Sequence, residues 1–291
     1  MTKLSWDDVG ERLYETGVDR GVLFIPNGSG IYDDGVAWNG LTTVTEKPSG
    51  ADANPQFADN IKYLNLIAAE EFGATLEAFT YPDEFAQFDG LATPQPGVVV
   101  GQQSRKTFGL CYRTKLGNDL DGSDHGYKLH LVYGLQAAPS EKAYATINDS
   151  PEALSFSWEL TSTPVSVTSL KPTSLIVVDS TVVGPTALAA LELALYGDVG
   201  IDPALPLPDA VIALFAGSIT EVTANAPTYV SGTHTITIVA TTGVTYYNET
   251  LGTVYATGAH VITADTLIKA RPNAGYQLTP GTDDDWFFDF V

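Results

Sequence analysis

Cysteine is nearly missing from this 291-residue chain: Cys111 stands alone, so no internal disulfide and no thiolate zinc cluster can form. Base is scarce as well. The 14 Lys and Arg face 35 Asp and Glu, for a net charge of −21, and no Lys or Arg occurs between Lys171 and Lys269. Such a chain repels phosphates and anionic membranes, which excludes a protein that grips nucleic acid by charge. A protein that neighbours DNA without holding it stays open. No run approaches the about 20 apolar residues that cross a bilayer. The start, Met1-Thr-Lys-Leu-Ser-Trp-Asp-Asp8, lacks the basic stretch and apolar run of a secretory signal, so synthesis in a cytoplasm is the expectation. Charged residues make up only 17 %, below the usual quarter.

What is present favours sheet. Hydrophobic residues reach 44 %, enough for a core, and Val, Thr and Tyr are plentiful, side chains that suit a pleated, half-buried surface. Period-two alternation predicts strands over 106–113, with Phe108, Leu110 and Tyr112 on one face, over 127–133, with Tyr127, Leu129, Leu131 and Tyr133 on one face, and over 155–160, with Phe156, Trp158 and Leu160 on one face. Further strands are expected at 21–26, 35–46, 61–67 and 73–81. Between them, Pro48-Ser-Gly-Ala-Asp-Ala-Asn-Pro55 reads as an extended, breaker-rich loop of the kind that is functional or disordered. Residues 1–20 read as a mobile terminal arm. One helix is expected at 186–196, with Pro185 at its start and Gly197 past its end. From about 218 the chain becomes a series of short Thr-, Val- and Tyr-rich strands, at 234–240, 243–248, 252–256, 259–263, 266–271 and 286–291, which predicts a small β-sandwich.

No constellation nominates catalysis. No Gly-x-Ser-x-Gly turn accompanies Asp124-His125, and His125, His130, His234 and His260 are never spaced as a metal pair on one helix face. His130, opposite the Tyr/Leu stripe of its strand, is expected at a surface or interface. Cys111 reads as a packed, inert thiol. Asp119, Asp121 and Asp124 around Gly122 resemble a calcium loop, but the twelfth position, where an acid is needed, is His130; a hairpin turn explains the same residues. No phosphate loop, dinucleotide fingerprint or zinc spacing occurs. The expectation is therefore no enzyme, no cofactor and no metal.

Several phrases between residues 21 and 215 stand together: Gly21-Val-Leu-Phe-Ile-Pro-Asn-Gly28, Gly35-Val-Ala-Trp-Asn-Gly-Leu-Thr-Thr-Val-Thr-Glu46, Ala58-Asp-Asn-Ile-Lys-Tyr-Leu64, Glu71-Phe-Gly-Ala-Thr-Leu-Glu-Ala-Phe-Thr-Tyr-Pro-Asp-Glu-Phe85, Gly101-Gln-Gln-Ser-Arg-Lys-Thr-Phe-Gly-Leu-Cys-Tyr-Arg-Thr114, Asp124-His-Gly-Tyr-Lys-Leu-His-Leu-Val-Tyr-Gly134 and Leu205-Pro-Leu-Pro-Asp209. This run resembles the major tail protein, or tail tube protein, of long-tailed bacteriophages. The resemblance implies a mainly β fold: a tail-tube β-sandwich or barrel over residues 21–217 with one flanking α-helix. It also implies hexameric rings stacked into a tube that conducts the genome, located in the virion. The partners it implies are further copies, a tape measure protein and DNA in the lumen without tight binding, and tail terminator and distal tail proteins at the ends. Mapped here, residues 48–60 would be the inter-ring loop, with Pro48, Asp52, Asn54, Pro55 and Phe57 as contacts, and residues 1–20 the arm. Glu46, Asp59, Glu70, Glu71 and Glu77 would be lumen-facing acids. Ile268-Lys-Ala-Arg-Pro-Asn-Ala-Gly-Tyr-Gln-Leu278 and Asp285-Trp-Phe-Phe-Asp-Phe290 resemble small bacterial immunoglobulin-like modules, so 218–291 would decorate the exterior and touch host-surface glycans. The rival readings are a β-rich adhesin or carbohydrate-binding surface protein and a capsid decoration protein.

Overall fold

The computed structural model describes residues 6–50, 52–144, 146, 149 and 153–290. The chain is mainly β. β1 (Tyr14–Pro26), β2 (Tyr32–Trp38) and β3 (Leu41–Glu46) lead into an excursion whose strands pair only with one another: β4 (Ser49–Gly50) with β7 (Glu70–Glu71), and β5 (Ala53–Ala58) with β6 (Ile61–Ile67). β8 (Gly73–Ala78) returns to the body. β9 (Ala92–Gln95) and β10 (Val98–Val100) form a second separate hairpin, and β11 (Phe108–Asn118), β12 (Gly122–Ala137), β13 (Phe156–Ser162) and β14 (Leu175–Asp179) complete the main sheet. Its order is β2-β1-β11-β12-β13-β8-β3, with β14 on the first half of β12.

The two ends of that path, β2 and β3, are consecutive in sequence and joined only by Asn39 and Gly40, so the sheet curls back on itself. Two glycines make the bends. Gly40 sits at φ +75. Gly134 sits at φ +61, where an added Cβ would stand 2.2 Å from the Thr163 carbonyl, a contact only glycine avoids. At Gly134 the β11–β12 register slips by one residue, a bulge that redirects the strand. Before it Leu129, Leu131 and Tyr133 face one core; after it Leu135 and Ala137 face the other.

The inner core gathers Leu23, Trp38, Leu76, Phe85, Phe108, Leu110, Tyr112, Leu135, Trp158 and Leu160. The outer face of β1, β11 and β12 is covered by α1 (Pro185–Tyr196) and α2 (Pro208–Phe215), through Leu188, Leu191, Leu195 and Val211. The helix expected at 186–196 is thus present, extended by Pro185, and joined by a second, α2, that carries little periodic signal. Cys111 is wholly buried, and burial pushes its thiol up to about 12. Alkylation of the native chain at about pH 8 is therefore expected to be negligible and to become complete in denaturant, because the thiolate is the reactive form; mass spectrometry reads the difference.

A third core, from Val222 to Phe288, is built on Ile236, Ile238, Tyr246, Ile268 and Ala270. It lies between a sheet of Thr228–Val230, Thr235–Ile238 and Gly258–Val261 and a sheet of Thr253–Tyr255, Val244–Asn248, Thr266–Pro272 and Asp285–Phe288. Two expectations are corrected. β1 begins at Tyr14, inside the span read as a mobile arm: Tyr14, Glu15 and Thr16 pair with Gly117, Leu116 and Lys115, so sheet hydrogen bonds order that half of the span. Residues 1–5 of it lie outside the described residues. His130 is also not at a surface. It is 8 % exposed and stacked on Tyr112, ring centroids 4.5 Å apart, because β12 is buried on both faces.

Candidate assembly interface

β3 and β8 are paired from Leu41↔Ala78 to Glu46↔Ala74, and the same ribbon continues outward through β4 and β7 into β5 and β6. Residues 47–72 therefore form one two-stranded arm on the end of the main sheet. It closes at Asp59 and Asn60, both in the left-handed region at φ +50 and +64, as a two-residue hairpin turn requires. Every residue of β5 and β6 is exposed. Phe57, Ile61, Tyr63 and Ile67 are each more than 60 % exposed, and Leu64 and Leu66 are open as well. A lone hairpin is marginal in water, and a ribbon apolar on this scale without a covering layer has the character of a surface built to be buried.

The residues expected to make inter-ring contacts separate along this arm. Asn54, Pro55 and Phe57 lie on β5, Asp52 stands just before it, and Pro48 sits near the arm's base between β3 and β4. All five are exposed. The loop expected at 48–60 contains β4 and β5: Pro55 opposes Asn65, and Phe57 opposes Lys62. Ile61, Tyr63, Leu64, Leu66 and Ile67, which the sequence reading assigned to an ordinary strand, belong to the same arm. The signal for it was the turn pair Asp59-Asn60 directly before the apolar run Ile61–Ile67.

The five acids do not form one set. Glu70 and Glu71 lie exposed at the base of the arm and Asp59 at its tip. Glu77 stands on the outer face of β8, opposite Thr43 and Ser157. Glu46 ends β3 with its side chain 36 % exposed. It shares the inward parity of Val44, and its Oε1 accepts the Tyr112 hydroxyl at 2.6 Å and lies 3.2 Å from His130 Nδ1. Thr114 Oγ1 meets the other ring nitrogen at 3.0 Å. His130, and then Tyr112, hold the Glu46 carboxyl below its ordinary range against the opposing effect of burial. A carboxylate held low stabilises the fold above its ordinary pKa, and the contribution is lost as pH falls through the folded value. Glu46→Gln is accordingly expected to lower stability near neutral pH and to converge on wild type at the acid end, which flattens the acid limb, as urea midpoints at a series of pH values would show.

The outer face of β3, β8 and β13 is uncovered by either helix. It presents Thr43, Thr45, Glu77, Ser157, Glu159 and Thr161, with Lys47 3.9 Å from Glu159 at its edge. The two acids on this face repel phosphates. The second hairpin, β9 and β10, leaves Val98, Val99 and Val100 exposed. Its approach is anchored by Asp89, whose nearly buried carboxylate meets Arg105 at 3.3 Å and Lys142 at 2.5 Å.

Asp119–Asp121 form the turn between β11 and β12, and Gly122–Asp124 open β12. Asn118 Oδ1 accepts the amides of Leu120 and Asp121, Asp121 meets His125 at 3.1 Å, and Asp119 accepts the Gly10 amide. No group of three or more His, Cys, Asp or Glu placed to hold a metal occurs among the described residues. Among them no helix is long and apolar enough to cross a membrane.

No protein-family model and no curated protein matches the chain. Among solved structures, a similarity is found to a chain of the anti-feeding prophage baseplate, from a six-fold symmetrised cryo-EM structure. It has 13 % identity over 61 % of this chain and 97 % of that chain, with a TM-score of 0.29. A likeness that loose assigns neither a fold family nor a role.

Proposed function

We propose that this chain is a structural subunit that assembles with copies of itself, specifically the tail tube protein of a long-tailed bacteriophage: rings of six that stack into a conduit for DNA. The arm at 47–72 carries the proposal. A curled sheet with two filled cores needs no such ribbon for its own stability, and a ribbon this apolar is explained when a neighbouring copy covers it. An arm on one surface that meets a different surface of the next copy makes a heterologous contact, the kind that closes into rings. The tube reading adds the resemblance of the phrases at 21–215 to tail tube proteins and the uncovered Thr, Ser and Glu face of β3, β8 and β13, which suits a wall past which DNA slides. Glu77 and Glu159 are the acids placed on that face; Glu46 is not proposed as a lumen acid.

In this reading residues 218–291 form an immunoglobulin-like unit on the exterior. The tape measure, terminator and distal tail proteins would meet the assembly inside and at its ends. No residue is assigned a catalytic role. Sedimentation velocity on the purified full chain over a concentration series tests self-assembly. The proposal expects ring-sized and larger species to grow with concentration; a single monomeric boundary throughout would remove its basis.

A further inference from the structure

Residues 218–291 contain only two Lys or Arg residues, Lys269 and Arg271, and both face the start of the chain. Lys269 Nζ lies 3.0 Å from Asp8 Oδ2 and 3.2 Å from Glu11 Oε1, and Arg271 Nε lies 3.3 Å from that same Glu11 oxygen. Arg271 also donates to Glu249 Oε1 at 2.6 Å, which fixes the guanidinium between the two acids. Val9 packs on Gly252, where an added Cβ would come within 3.1 Å of its methyls.

The opposite side of the same segment is held by the turn between β11 and β12. The Gly10 amide donates to Asp119 Oδ1 at 2.8 Å, Asn118 Nδ2 donates to the Gly10 carbonyl at 3.2 Å, and Arg12 reaches Asp119 at 3.4 Å. Gly10 stands at φ +84, and a Cβ there would lie 2.8 Å from Arg271 and 3.0 Å from Leu120. Only glycine fits between the two partners in that conformation.

We infer that residues 7–12 are a clip that fixes the C-terminal unit to the body of the protein, selected by charge through Lys269 and Arg271. In a chain with so large an acid excess, two cations placed together against an acidic segment set a specific pairing, because every competing acidic surface offers them less than a preformed pair of carboxylates and an apolar anchor. Besides the clip, the unit is joined to the body by the connection through residues 216–220 and by the Gly275 amide bonded to the Val182 carbonyl at 3.1 Å. Under the tube reading a clipped unit presents one constant face outward, but the clip itself requires no assembly.

Hydrogen exchange of the peptide covering residues 6–13, measured on the full chain, tests the inference. Lys269→Glu places three acids together and is expected to speed exchange in that peptide by about tenfold. Adding Asp8→Lys restores an opposite-charge pair and is expected to return most of the protection. A reversal that simply unfolded the unit would also raise exchange in 235–238 and 266–272, so the double variant decides. Protection regained at 6–13 supports the clip; unchanged exchange in Lys269→Glu, or no recovery in the double variant, overturns it. Neither result depends on whether the chain forms rings.

Discussion

Tyr63→Asp combined with Leu66→Asp is expected to leave the chain folded and to abolish its assembly. Both side chains are exposed on the arm, at 66 % and 56 %, and neither belongs to a core of the body, which the arm meets at its base through Phe72. Exposed changes of this kind alter folding stability by about 0.5 kcal/mol or less. In an assembled interface the balance is different. Burying a Leu or a Tyr-sized apolar surface contributes about 1.5 kcal/mol or more per side chain, and a carboxylate in the same place adds a desolvation cost. A loss of about 3 kcal/mol at each interface lowers pairwise affinity by at least about a hundredfold. A ring repeats that loss at every contact. Near-UV circular dichroism should match wild type while sedimentation shows only monomer; assembly at wild-type concentration would show that the arm is not the contact.

Trp158→Ala is expected to cost about 3–5 kcal/mol of stability, the range for deleting a buried aromatic side chain. Trp158 is fully buried in the inner core, with ring centroids 5.1 Å from Phe85, 5.5 Å from Tyr81 and 5.7 Å from Trp38. Against a typical total of about 5–15 kcal/mol, that loss removes a large part of the fold's margin. Trp158→Phe separates volume from polarity. The indole Nε1 has no hydrogen-bond partner among the described residues, so phenylalanine removes an unpaired buried donor while leaving a smaller void. Its cost should be well below that of alanine. Urea midpoints with unchanged m values would show the order, and equal losses for the two variants would mean that the void is not what matters.

The period-two pattern made β11, β12 and β13 legible because each alternates large apolar residues over a full strand. It said less about how they are covered. Cys111, Leu110 and their neighbours are buried on both faces, so the residue placed opposite a good stripe, His130, was expected at a surface or interface and lies inside. The helix at 185–196 was legible from Pro185 and Gly197; α2 was not, since eight residues behind a proline-rich loop carry little periodic signal. The arm was half legible. Its second strand, Ile-Lys-Tyr-Leu-Asn-Leu-Ile, reads as a strand anywhere, but its partner holds Asn54 and Pro55, residues that strands usually avoid. The contacts of Glu46 were hidden for a different reason. Its parity with Val44 pointed inward, yet the groups that make an inward acid tolerable, Tyr112 and His130, are more than 60 positions away and no local pattern announces them.

Electron microscopy of the purified full chain at high concentration tests self-assembly into a conduit most directly. The account predicts rings and stacked tubes with an open lumen, each arm at 47–72 seated against a neighbouring copy and the Thr, Ser and Glu face of β3, β8 and β13 turned to the channel. Particles of monomer size alone, with the arm intact, would contradict it.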